Sequence, residues 1–139
     1  MSFPADLHAD PSAPVTALAA RLGPEMRGDV FAADCPSRQV LRHLTGRWGA
    51  MVVVALADGP RRFSALRRQI AGVSERMLAQ TLQELEADGI VARHALPVVP
   101  PHVEYELTAP GREVVQRLAG LVDWIELNLP RLRTPPARD

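Results

Sequence analysis

The stretch Gly72-Val-Ser-Glu-Arg-Met-Leu-Ala-Gln-Thr-Leu-Gln-Glu-Leu-Glu-Ala-Asp-Gly-Ile90 carries both the start and the stop of a helix. Ser74 is a good N-cap, because its hydroxyl accepts from a first-turn amide that has no helical partner. Glu75 follows at the positive end of the dipole. Gly89 sits as the C′ glycine, free to take the left-handed conformation that closes a helix. At about 100° per residue, Leu78, Leu82 and Leu85 share one side, with Met77 and Thr81 at its shoulder. The opposite side gathers Arg76, Ala79, Gln80, Gln83 and Ala87, with Glu84 and Glu86 toward its flanks. A merely solvated face tends to interleave Glu with Arg or Lys. This one carries side chains that make bidentate contacts to guanine and adenine edges, with alanines leaving room for a base methyl. A plain soluble helix packed by its leucines accounts for the same stripe, so the face alone leaves two readings open.

The chain of 139 residues, 47% of them hydrophobic, is long enough for one domain with a proper core. Its formal net charge is zero, so no global basic field advertises nucleic acid, and a DNA-binding surface has to be local. All 16 basic residues are Arg. That suits phosphate and base contacts, although an Ala-rich chain of this kind also fits a genome-wide composition bias. No apolar run approaches the ~20 residues of a membrane span, and Met-Ser-Phe-Pro-Ala-Asp lacks the regions of a signal peptide. The single cysteine has no intrachain partner. These features predict a soluble cytoplasmic protein that does not contact a membrane.

Residues 1–33 are rich in Pro, Ala and Asp and read as a flexible or partly helical extension, with one short helix feasible at Val15–Leu22. The folded domain is expected over 34–129. Pro36 suits the first position of a helix running to about Thr45. Trp48 opens a second helix, Trp48–Ala57, apolar on most sides and therefore central. Asp58-Gly59-Pro60 stops it. Arg61-Arg62-Phe63 reads as a minor strand, followed by a third helix, Ser64–Ile70, capped by Ser64. A short Gly-containing turn then leads into the helix described first, which makes a helix-turn-helix. Ile90–His94 and Val103–Leu107 alternate as strands, and the proline-rich 95–101 between them reads as a loop. Thr108 caps a last helix from Ala109 to about Leu129, stopped by Pro130. Residues 130–139 read as a tail. The fold class expected is mainly α with a small β-hairpin, a winged helix-turn-helix.

Several spaced motifs occur in one order: Cys35-Pro36; Gly46-Arg47-Trp48; Asp58-Gly59-Pro60-Arg61-Arg62-Phe63-Ser64-Ala65-Leu66-Arg67; Val73-Ser74-Glu75-Arg76-Met77-Leu78; Leu82 through Gly89; Pro100 through Thr108; and Gly111-Arg112. Over residues 34–125 the chain resembles the HxlR family of winged-helix transcriptional regulators, relatives of the MarR type. The resemblance implies a homodimer joined through the first and last helices. It would bind double-stranded DNA at an inverted repeat, with recognition helices about 34–36 Å apart; repression is the expected output, because a dimer on a promoter most simply blocks polymerase. Ser74, Arg76, Ala79, Gln80 and Gln83 would face bases. Arg61, Ser64, Arg67, Arg68, Arg93, His94 and His102 would hold phosphates or form the wing. The extension before Cys35 is longer than the family's usual leader. His102 stands where the family commonly has a permanently charged residue, so the wing histidines either make neutral surface hydrogen bonds or give a pH-dependent grip.

Some members of the family sense oxidants or aldehydes through a cysteine at the position of Cys35, so the resemblance extends an electrophile or small-molecule effector to this chain. The helix N-terminus favours the thiolate there, and Asp34 opposes it. No cofactor or metal is expected, since His94, His102 and Glu104 lack a fixed ligand spacing. His8 and His43 read as isolated, His43 on a helix surface. No nucleophile–base pair or phosphate-cradling loop points to an enzyme. The rival reading is a winged helix kept for protein assembly without specific DNA binding, which the zero net charge supports.

Overall fold

The computed structural model describes residues 30–100 and 102–132. The expected helix at Val15–Leu22 and most of the C-terminal tail lie outside them. The chain divides into two units, Met1–Arg42 and His43–Asp139. In the described part of the first, a turn leads into helix α1, Pro36–Thr45, which begins on Pro36 as expected and runs across the division. The Arg38 guanidinium donates to the Phe31 carbonyl at 3.0 Å.

The second unit holds the hydrophobic core. Helix α2, Gly49–Ala55, is buried at Val52, Val53 and Ala55 and packs on three other helices, as its all-round apolar sequence requires. Met51 is the exception and is exposed. Trp48 is the buried N-cap of this helix rather than its first residue. The helix also ends earlier than Ala57. The amides of Leu56, Ala57 and Gly59 each reach a carbonyl three residues back, so the last turn tightens and unwinds.

Strand β1, Arg61–Arg62, runs directly into helix α3, Phe63–Gln69. The expected cap at Ser64 is corrected. Pairing in the sheet holds Arg62 extended up to the helix, so the helix opens on Phe63, and Ser64 falls exposed inside the first turn. After the turn, helix α4 spans Glu75–Ala87, strands β2 and β3 span Val91–Leu96 and His102–Leu107, and helix α5 spans Ala109–Leu132. β3 is the middle strand of a three-stranded antiparallel sheet in the order β1-β3-β2. Val91, Tyr105 and Leu107 are buried on its inner face beside Leu66, Leu78, Leu82, Leu85 and Val115.

Two joints fix α4 and α5. Beyond the Asp88 C-cap, Gly89 takes φ +80°; its amide bonds Glu86 and that of Ile90 bonds Leu85, the paired bonds of a Schellman close. Thr108 then caps α5, its Oγ1 accepting from the Gly111 amide at 3.1 Å while its hydroxyl proton is directed at the Gly89 and Ile90 carbonyls. Pro130 does not stop α5, contrary to the sequence reading. It lies in the last described turn, followed by Arg131 and Leu132 among the described residues. Side-chain bonds from Asn128 to the Trp124 carbonyl and from Arg131 to Asn128 bind that turn together. No described helix is long and apolar enough to cross a membrane.

Candidate nucleic-acid interface

Helix α4 presents two chemically distinct sides. Leu78, Leu82 and Leu85 are almost wholly buried, and Thr81 is buried beside them, its hydroxyl donating to the Met77 carbonyl at 2.8 Å. Arg76, Gln80 and Gln83 are exposed on the other side, and Ala79 is half-buried. Ser74 Oγ accepts from the Met77 amide at 3.0 Å, so its oxygen is committed to the cap. The hydroxyl proton remains as a donor, which suits a phosphate oxygen better than the paired contacts a base edge demands.

Charge on this helix is polarised. Arg76 stands in the first turn beside Glu75, the partner of Arg67 from the last turn of α3, whereas the far end carries Glu84, Glu86 and Asp88 and no basic residue in its last turn. A chain of zero net charge thus gathers cations at the N-terminal tip of the exposed helix. Within that group Arg67 bonds Glu75 at 3.3 Å, both side chains largely in solvent, and Arg68 is exposed.

The sheet register separates residues that the sequence placed together. Arg61 lies opposite Tyr105 and Arg62 opposite Glu104, so the adjacent arginines point to opposite faces. Arg61 is half-buried, its Nε donating to the Ala55 carbonyl at 3.1 Å, where it ties down the end of α2. Arg62 is the exposed one of the pair, and sequence reasoning passed over it. Only the pairing register could have exchanged the two roles. Arg93 opposes Tyr105 and so shares the inner face near the wing edge, while His94 opposes Glu104 on the outer face, where His102 also lies opposite Leu96. His94 Nε2 meets Glu106 Oε1 at 2.7 Å. Arg93 and the two histidines therefore cannot grip one phosphate from the same side. Among the described residues no three His, Cys, Asp or Glu side chains converge as a metal site.

Residues 43–133 match the model of the HxlR-like helix-turn-helix family. The chain belongs to that family. It is 61% identical over 105 residues to the HTH-type transcriptional regulator YtfH of Escherichia coli (strain K12), a match covering 76% of this chain and 83% of YtfH. The solved structure of ytfH from Salmonella typhimurium superposes with a TM-score of 0.75 at 57% identity, covering 81% of this chain and 100% of that one. The redox regulator HypR in its reduced form superposes at 0.66 with 37% identity, covering 72% and 99%. The protein is a transcriptional regulator of the helix-turn-helix type.

In this HxlR-type regulator Cys35 is buried immediately before α1, and the Gln39 amide reaches its carbonyl. A cleft of about 420 Å³ opens beside it, lined by Ala33, Asp34, Cys35, Arg38, Gln39 and Arg42. His43 is where sequence reasoning went wrong. It is neither isolated nor on an open helix surface: its Nδ1 lies 2.6 Å from Asp88 Oδ2, each side chain only 12% exposed, and its Nε2 lies 4.0 Å from Glu84. A partner 45 positions away leaves no local pattern, so no sequence signal announces it. Farther along, Leu121, Val122, Trp124, Ile125 and Leu129 leave an exposed apolar strip on the second half of α5.

Proposed function

We propose that this regulator binds a specific inverted-repeat operator as a homodimer and represses transcription there. Ser74, Arg76, Ala79, Gln80 and Gln83 meet the DNA along α4. Arg62, Ser64, Arg67, Arg68, Arg93, His94 and His102 supply phosphate and wing contacts, with Arg62 in the place the sequence reading gave to Arg61. The observation that carries this reading is the exposed row Arg76, Gln80 and Gln83 on a helix whose opposite side is anchored in the core, preceded by a helix with Arg67 and Arg68 in its last turn. Arg and Gln in the major groove discriminate bases, and phosphate contacts hold the register. The apolar strip of α5 supports dimerisation, since a monomer would leave it in water. The folded residues 34–129 then form one DNA-binding and dimerising part, between an N-terminal extension and a short tail.

Cys35 serves as the sensor of oxidants or electrophiles in this reading, supported by its place at a helix start beside a cleft and by the similarity to HypR, a redox regulator. With one cysteine per chain, oxidation joins two thiols from separate molecules or from the chain and a small thiol.

The test is a salt titration of the full chain on duplex DNA from upstream of its own gene against scrambled duplex. Preference for the former with a steep salt slope supports the reading. Equal, weak binding to both, followed by a genome-wide selection that returns no motif, overturns it.

A further inference from the structure

The last turn of α4 is electrostatically mismatched. Its C-terminus already concentrates partial negative charge, yet Glu84, Glu86 and the Asp88 cap add three carboxylates and no cation. The group that faces these carboxylates comes from outside the helix. His43 sits against this turn with Nδ1 at 2.6 Å from Asp88 and Nε2 at 4.0 Å from Glu84. A carboxylate only accepts, so Nδ1 carries a proton toward Asp88. The His43 backbone is itself pinned, because Gly49 packs so tightly on its carbonyl that any Cβ there would overlap the oxygen.

The contact continues along the helix edge toward the reading face. Glu84 Oε2, the same oxygen that faces His43, lies 3.5 Å from Gln80 Nε2, one helical turn earlier. Again the carboxylate can only accept, so the Gln80 amide turns its nitrogen toward Glu84 and its oxygen away. An amide held this way offers an acceptor together with its second N–H, the pattern that matches the amino group and N7 of adenine. Rotated by half a turn it would lead with its NH₂ group, which suits guanine, whose major-groove edge carries only acceptors.

We propose that His43 is a positioning residue for base selection: held by Asp88, it faces Glu84 and through that one carboxylate fixes the orientation of the Gln80 amide, which favours adenine over guanine at one base pair of each half-site. This rests on the reading that Gln80 faces bases. His43 touches no DNA and acts only through Glu84, with Asp88 as its anchor.

The experiment selects binding duplexes from a pool with a randomised core, using the full wild-type chain and the variants His43→Ala, Glu84→Ala and Gln80→Ala. Glu84 is 38% exposed, so its removal leaves the core intact even where His43→Ala impairs folding. The wild type should show one adenine per half-site that becomes indifferent in Gln80→Ala. His43→Ala and Glu84→Ala should lose adenine-over-guanine preference at that same position by about fivefold or more, the scale of one base contact, with other positions unchanged. A merely structural role would lower affinity evenly across the site. If Gln80→Ala alters the motif while Glu84→Ala leaves it intact, the positioning role falls and base reading by Gln80 stands. If Gln80→Ala alters nothing, or the wild type returns no motif, the base-reading premise fails and the proposal with it.

Discussion

Gly111 passes directly beneath the carbonyl of Ile90, so close that a Cβ built on it would overlap the oxygen. The two residues join the start of α5 to the strand that leaves α4, and backbone rather than a flexible side chain blocks the space. Gly111→Ala should therefore destabilise the protein by about 1–3 kcal/mol, the range of overpacking in a tight site. Urea denaturation of the two proteins side by side measures it. An unchanged midpoint would mean that this joint yields freely.

Ser74 closes the N-terminus of α4 through its bond from the Met77 amide. Ser74→Ala removes that acceptor and should cost about 1 kcal/mol of folding stability. Ser74→Gly should cost only a few tenths by the same measurement. An unchanged midpoint for Ser74→Ala would indicate that the hydroxyl contributes nothing through capping.

Arg76 stands exposed in the first turn of α4. Arg76→Ala should weaken specific DNA binding by about 1–3 kcal/mol and relax preference at one position, whereas Arg68→Ala should weaken binding to all sequences evenly and lower the salt slope. Titrations on specific and scrambled duplexes separate the two. Matching behaviour of the variants would remove Arg76 from base reading.

Cys35 is the chain's one thiol. Diamide should release the wild-type protein from DNA and yield a disulfide-linked species on a non-reducing gel, as two thiols lose their hydrogens to the diamide. Cys35→Ser should bind DNA as before and ignore diamide. A serine variant that still responds would sink the sensor assignment.

Helix α4 was legible because everything that defines it lies within its own residues: the cap at Ser74, the leucine spacing, and Gly89 at the close. The hairpin was legible for the same reason, through alternation in β3. What escaped the sequence depends on partners far along the chain. The exchange of roles between Arg61 and Arg62 follows from a register with β3 set more than 40 positions later. Ser64 lost its cap because that same pairing moved the helix start. His43 needed Asp88, and Gly49 needed the His43 carbonyl, to acquire any meaning. Pro130 failed as a stop because it removes only one backbone bond, the one to the carbonyl four residues back, while side-chain bonds through Asn128 and Arg131 tie the chain around it.

The middle place of β3 has a topological consequence. One strand holds β1, which feeds the helix-turn-helix, and β2, which drains it, so both ends of that segment are clasped at a single seam. The segment behaves as a closed loop whose ends cannot drift apart until the sheet itself opens, and closing it has already removed the chain entropy that fraying would recover. Mutation can therefore redraw the outward side of α4 without loosening its seat. In a scaffold of this kind the surface that varies and the frame that keeps its place are governed by separate residues.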